Sequence, residues 1–328
     1  MNYNKNKAQV MSLVILSLIL LFIISCEPSS PESITATVIE KPSPPQEQLP
    51  FKLLSSGLAQ DAIPPIDNPQ FVSVEEANQW LKDNDLVIAL IHKDVIKVYP
   101  ISIMNWHEIV NDNIAGDPMV VTYCPLCGSA AVYQRKIVID GSKKTLSFGN
   151  TGKVYNSNFI MYDHNTNSYW TQFDGKAIMG ELAGKNLPQI NTHIVNWRDW
   201  KSLHPKSKVL SQNTGFSRSY DKDPYPFYNV DETLLFPVEK QSPLLPIKEV
   251  IFGISVENKE KAYPESILKK KAILHDTLSG ARVKIQRDET GSVIATNLEN
   301  GLILPVQRSY WFSWYAFHPE TQVYSSQD

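Results

Sequence analysis

The chain has 328 residues, with 31 basic and 34 acidic side chains and a formal charge of −3. It carries no extended Lys/Arg run or basic stripe beyond Lys269-Lys270-Lys271, so nucleic acid is not an expected partner. Only three cysteines occur against seven Trp and fourteen Tyr, so any thiol chemistry is confined to very few positions.

The chain opens with Lys5 and Lys7, a nearly unbroken apolar stretch from Val10 to Ile24, and then Ser25 and Cys26. That layout is a secretory signal. At about fifteen residues the apolar stretch is short of the roughly twenty needed to span a bilayer. Ile23-Ile24-Ser25-Cys26 resembles a bacterial lipobox, so residues 1–26 are expected to be a lipoprotein signal peptide with lipidated Cys26. The expected partner is then the membrane, reached through the lipid. The location is outside the cytoplasm, in a periplasm or on a surface. Glu27 in place of Asp favours the outer membrane or cell surface. Residues 27–55 are rich in Pro, Ser and Glu and poor in large apolar side chains. They are expected to be a disordered tether, of which Glu27 to Pro50 alone would reach roughly 75 Å if extended.

Residues 56–328 suit one large domain or two interlocked smaller ones. Ser73-Val74-Glu75-Glu76 is a capping box opening a short helix. Leu86–Ile91 and Val95–Tyr99 predict a hairpin, Ile101–Val110 a helix, Asn113–Pro118 a turn, and Met119–Tyr123 an apolar strand. After that strand the pattern is mostly strand and turn. Ala131–Ile139 and Thr145–Phe148 flank one turn, and Phe159–Tyr162 and Ser168–Phe173 flank another. Trp197–Leu203 predicts a short helix, and Tyr220–Pro246, dense in Pro and Tyr, a long ordered loop. The run from Val87 to Met104 is echoed from Val250 to Leu268: strand, turn, strand, Tyr-Pro, helix start. The expected fold is therefore α+β and β-rich. It has two related lobes, about 56–215 and 216–328, built on antiparallel hairpins with short helices.

Chemistry is expected at Tyr123-Cys124-Pro125-Leu126-Cys127-Gly128. Two thiolates three residues apart can grip one metal ion, and the Gly lets the backbone fold round the sulfurs. With no second Cys pair, further ligands must come from His, carboxylate or an outside group. Thiolate with imidazole suits copper or zinc. His107, on the helix leading into the cysteine strand, is the first candidate, followed by His164 and His318. Glu108, Asp112 and Asp163 could orient a ligating imidazole. Two other roles fit the same motif. One is a periplasmic thiol–disulfide oxidoreductase, although the downstream residues read as strand where a thioredoxin-type site has a helix. The other is a disulfide staple in a surface protein that binds carbohydrate or a partner through its aromatic side chains. No GxSxG, HExxH or phosphate-binding loop is present, and Gly149-Asn150-Thr151-Gly152-Lys153 lacks the phosphate-loop spacing.

The same segments carry a resemblance. Trp106-His107-Glu108-Ile109-Val110-Asn111-Asp112, Val121 through Gly128, Tyr155-Asn156-Ser157-Asn158, Met161-Tyr162-Asp163, Ser168 through Gln172, and Trp311 through Pro319 resemble a bacterial family known as domain of unknown function 3179. Thr151 and Thr171 stand where that pattern tends to have Ser. The resemblance implies no activity. It does imply that His107, Cys124, Cys127, Asp163 and His318 belong to the family signature.

Overall fold

The computed structural model describes residues 52–325, so the signal, Cys26 and nearly all of the tether lie outside the described residues. The described residues group as one compact unit. The unit is β-rich with a few short helices. Five sheets of four or five strands are arranged as a five-bladed propeller-like ring.

Local sequence explains most of the elements. Ser73 caps Val74–Ala77 through the reciprocal capping box. Leu86–His92 and Val95–Pro100 pair antiparallel with Ile88 opposite Tyr99, and Lys93 takes the left-handed conformation in the turn (φ 51°). The helix expected over 101–110 stops at His107. Glu108 turns left-handed (φ 57°), and Ile109–Ile114 becomes a strand paired with Asp117–Cys124. β-Branched Ile109 and Val110 fit a pleated, buried surface better than a helix end. The 131–139 stretch divides into Ser129–Gln134 and Lys136–Ile139, which lie in different sheets. The Trp197–Leu203 helix is as expected, and residues 211–249 hold no regular element.

The echo between the two hairpins extends to whole sheets. In one sheet His193–Asn196, Leu86–His92, Val95–Pro100 and Lys208–Leu210 are neighbours in that order. In another, Gln307–Tyr310, Val250–Val256, Lys259–Pro264 and Gln322–Val323 stand in the same order. The last pair is parallel in both. Side chains repeat as well. Lys97 and Tyr99 bond Asp112 (2.7 and 2.6 Å), as Lys261 and Tyr263 bond Asp276 (2.8 and 2.9 Å). The Trp200 indole donates to Ser207 Oγ and packs on His204. The Trp314 indole donates to Thr321 Oγ1 and packs on His318. Between the halves of each repeat lies an insertion, and the cysteine hairpin belongs to the first.

Candidate functional site: a buried thiol pair

The cysteine strand Asp117–Cys124 turns through Pro125-Leu126-Cys127-Gly128 into Ser129–Gln134. The Cys127 amide donates to the Cys124 carbonyl at 3.2 Å. Gly128 closes the turn at φ 57°, and its α-carbon lies under the Tyr310 ring, where a Cβ would come within 2.8 Å of ring carbon. Only Gly meets both demands. The turn is held from a distant part of the chain. The Tyr310 amide donates to the Cys127 carbonyl (2.8 Å), and the Arg308 guanidinium donates to the Gly128 carbonyl (2.9 Å).

Both cysteines are free and buried, at 1% and 0% exposure. They belong to a cluster that includes Leu126, Phe159, Trp170 and Phe312. Asn156 and Ser157, both left-handed, form the turn joining Phe148–Tyr155 to Asn158–Asp163, the conformation a two-residue hairpin prefers. That turn delivers the Ser157 carbonyl to both sulfurs, 3.5 Å from Cys127 Sγ and 3.9 Å from Cys124 Sγ. Asn158 Nδ2 stands 3.5 Å from Cys127 Sγ. It also donates to Gln172 Oε1, and Asn158 Oδ1 accepts from the Phe173 amide, so the orientation of this amide is fixed.

The two thiols are unequal. Burial, then the neighbouring Cys127, pushes the Cys124 thiol well up. Burial acts on Cys127 in the same direction, but the neighbouring Cys124, Ser313 and Asn158 together outweigh it and bring this thiol down. The Ser313 hydroxyl is fully buried beside Cys127 without reaching hydrogen-bond geometry. Glu108 completes the group. Its carboxyl is buried, takes a 2.6 Å hydrogen bond from Asn150 Nδ2, and is pushed well up by burial and then by Cys124. Its own carbonyl accepts from the Tyr123 amide (2.9 Å), which ties it to the cysteine strand.

The histidines lie elsewhere. His107 Nδ1 is 2.8 Å from the Pro64 carbonyl, and Nε2 is 2.7 Å from the Tyr220 hydroxyl. A carbonyl only accepts, so Nδ1 carries the proton and Nε2 accepts from Tyr220, leaving both nitrogens of a neutral ring engaged. His164 is exposed and stacked on Tyr162. His318 packs on Trp314, the arrangement repeated at His204. Of the three carboxylates, only Glu108 stands at the thiols. Asp112 pairs with Lys97, and Asp163 accepts from the Trp170 indole and Thr166. Among the described residues no group of three or more His, Cys, Asp or Glu is placed to hold a metal ion.

Sequence reasoning did not single out Asn158, Tyr310 or Ser313. Asn158 and Ser313 stood inside quoted motifs, but nothing local to them points at the cysteines.

A family model described as "protein of unknown function (DUF3179)" matches residues 60–303, most of the chain. The chain belongs to this family. The match takes in the cysteine hairpin, Glu108 and Asn158 of the DUF3179 domain; Arg308, Tyr310 and Ser313, which complete the site, follow the matched span. No curated protein and no solved structure matches.

Proposed function

We propose that this is an exported protein, lipid-anchored through Cys26, in which Cys124 and Cys127 work as a reversible dithiol/disulfide couple. The supporting observation is that two free, buried thiols share one turn in unlike surroundings. The Asn158 amide stands 3.5 Å from Cys127 Sγ, while burial and the neighbouring Cys127 raise Cys124. A pair built only as a staple has no use for such poise. Oxidation breaks two S–H bonds and forms one S–S bond. Two electrons and two protons leave to a two-electron acceptor such as a quinone or a low-molecular-weight disulfide. The repeated sheets are read as the traces of two related halves, about 56–215 and 216–328.

A second function keeps the copper or zinc suggested by the sequence. The Asn158 amide and the Ser313 hydroxyl beside Cys127 are donors suited to a bound thiolate. With His107 occupied, the donor set is two sulfurs. That suits copper(I), which favours soft thiolates, and falls short of the four ligands of structural zinc.

One experiment tests both. Protein exported to a periplasm and purified without chelator is assayed for metal and mass, then titrated between reduced and oxidised dithiothreitol. The expected result is a single two-electron transition with a mass change of two hydrogens, abolished in Cys124→Ser. About one copper per chain with both thiols protected from titration would replace the redox function by the metal one.

A further inference from the structure

The thiol pair is sealed from large partners but has a cavity beside it. The cavity holds about 840 Å³ and is lined by Tyr123, Pro125, Tyr220, Tyr225, Tyr228 and Tyr310, with Trp80 and Asn105 further out. Tyr123 and Pro125 flank Cys124 in the chain, Tyr228 and Tyr310 share a buried cluster with both cysteines, and Tyr225 packs against it. The cavity wall is therefore continuous with the surroundings of the sulfurs. The charged lining balances: Lys82, Arg218 and Lys222 against Asp85, Asp221 and Asp223. The space therefore offers aromatic faces and no net charge.

Two lining residues carry buried polar atoms without a partner. One is the hydroxyl of Tyr228, a residue 8% exposed. The Leu235 backbone approaches it without reaching hydrogen-bond geometry. The other is Asn105 Oδ1, and the amide's Nδ2 is committed to Asp223 Oδ1 at 3.2 Å. A buried polar group left unmatched costs about 1–3 kcal/mol and calls for an explanation. One of these groups can donate and the other can only accept. Their complement is a ligand that presents a carbonyl in one state and a hydroxyl in another.

We propose that the cavity binds a quinone-type carrier, a flat uncharged ring that accepts two electrons, and that this carrier is the redox partner of the dithiol. The inference rests on the dithiol function proposed above. A protein disulfide needs an exposed sulfur for a mixed disulfide, and sulfurs at 0–1% exposure leave a small acceptor. The exchange balances. Two S–H bonds break and one S–S bond forms, while two quinone C=O groups become C–OH and take up both electrons and both protons. Tyr228 donates to the quinone carbonyl, and Asn105 Oδ1 accepts from the hydroquinone hydroxyl. The tyrosine faces stack on the ring.

The test uses the whole folded chain, reduced and free of oxygen, with duroquinone, whose ring is fully substituted and so has no open position for thiol addition. The expected result is one durohydroquinone per chain and a mass lower by two hydrogens. The rate should saturate with quinone, fall at least tenfold in Ser102→Trp, which narrows the cavity, and fall several-fold in Tyr228→Phe. The double variant Cys124→Ser/Cys127→Ser should still bind duroquinone, read as quenching of tryptophan and tyrosine fluorescence. If the dithiol cycles normally with dithiothreitol while duroquinone neither binds nor reacts, the cavity proposal is overturned and the dithiol function stands. If the double variant binds but the wild-type thiols never oxidise reversibly, the dithiol function fails and electron transfer at this cavity fails with it.

Discussion

Donors beside its sulfur bring the Cys127 thiol down against its burial, whereas burial and the neighbouring Cys127 push the Cys124 thiol up. The ultraviolet absorbance of the thiolate, followed against pH, should therefore rise at lower pH in Cys124→Ser, which keeps Cys127, than in Cys127→Ser. Equal titration of the two variants would remove the inequality between the thiols. Lys97 and Asp112, both almost fully buried, make a second residue-level case. Asp112→Asn strands a charged amine against the Phe71 ring and should cost about 3–5 kcal/mol in denaturant unfolding. His318 sets a pH dependence. Burial lowers its pKa from 6.5 to about 4, so the unfolded chain binds more protons between those values. The contribution of neutral His318 is complete above pH 6.5 and drains away as pH falls toward 4. His318→Gln should flatten the acid-unfolding curve over that window. The cysteines were legible from their spacing alone. Their surroundings were not, because Asn158, on a neighbouring strand, Ser313, on the helix Trp311–Phe317, and Tyr228, in a long loop, all come from segments distant in sequence that carry no local signal.

Among the elements, the cysteine turn is the most constrained. Gly128→Ala would impose a Cβ at positive φ and drive it into the Tyr310 ring. A loss of about 1–3 kcal/mol is expected, visible as a lower thermal midpoint. The two repeated helices invite a paired comparison. Ser207→Ala and Thr321→Ala each remove the acceptor of a buried indole donor, and each should cost about 1–3 kcal/mol. Most hairpins were readable from alternation and turn residues. The helix over 101–110 was overextended because a single residue, Glu108, changes backbone hand and re-aims the chain into a strand. Nothing in its side-chain type announces that, since acidic residues suit helices well enough.

For the whole molecule, the β-rich class was legible and the ring was not. Ring closure depends on which sheets lie side by side, and that is decided by contacts between segments far apart in sequence. The repeat was half visible. The hairpin echo is plain in the sequence, but the spacing shared by Trp197, Trp200, His204 and Pro205 with Trp311, Trp314, His318 and Pro319 is masked, because an insertion separates it from the hairpin in each copy. The described strands belong to one compact unit.

The hold of Arg308 on Gly128, across 180 residues, bears on how the protein is made. On the export proposed above, the cysteine hairpin emerges well before residues 308–313 arrive to cover it. In that interval the sulfurs meet whatever oxidant the compartment offers, and the later cover then encloses the state already reached. The starting condition of each molecule is written during biogenesis. Protein refolded in oxidising and in reducing buffer should accordingly give two populations that interconvert slowly once folded. Rapid interconversion would show that the cover opens freely.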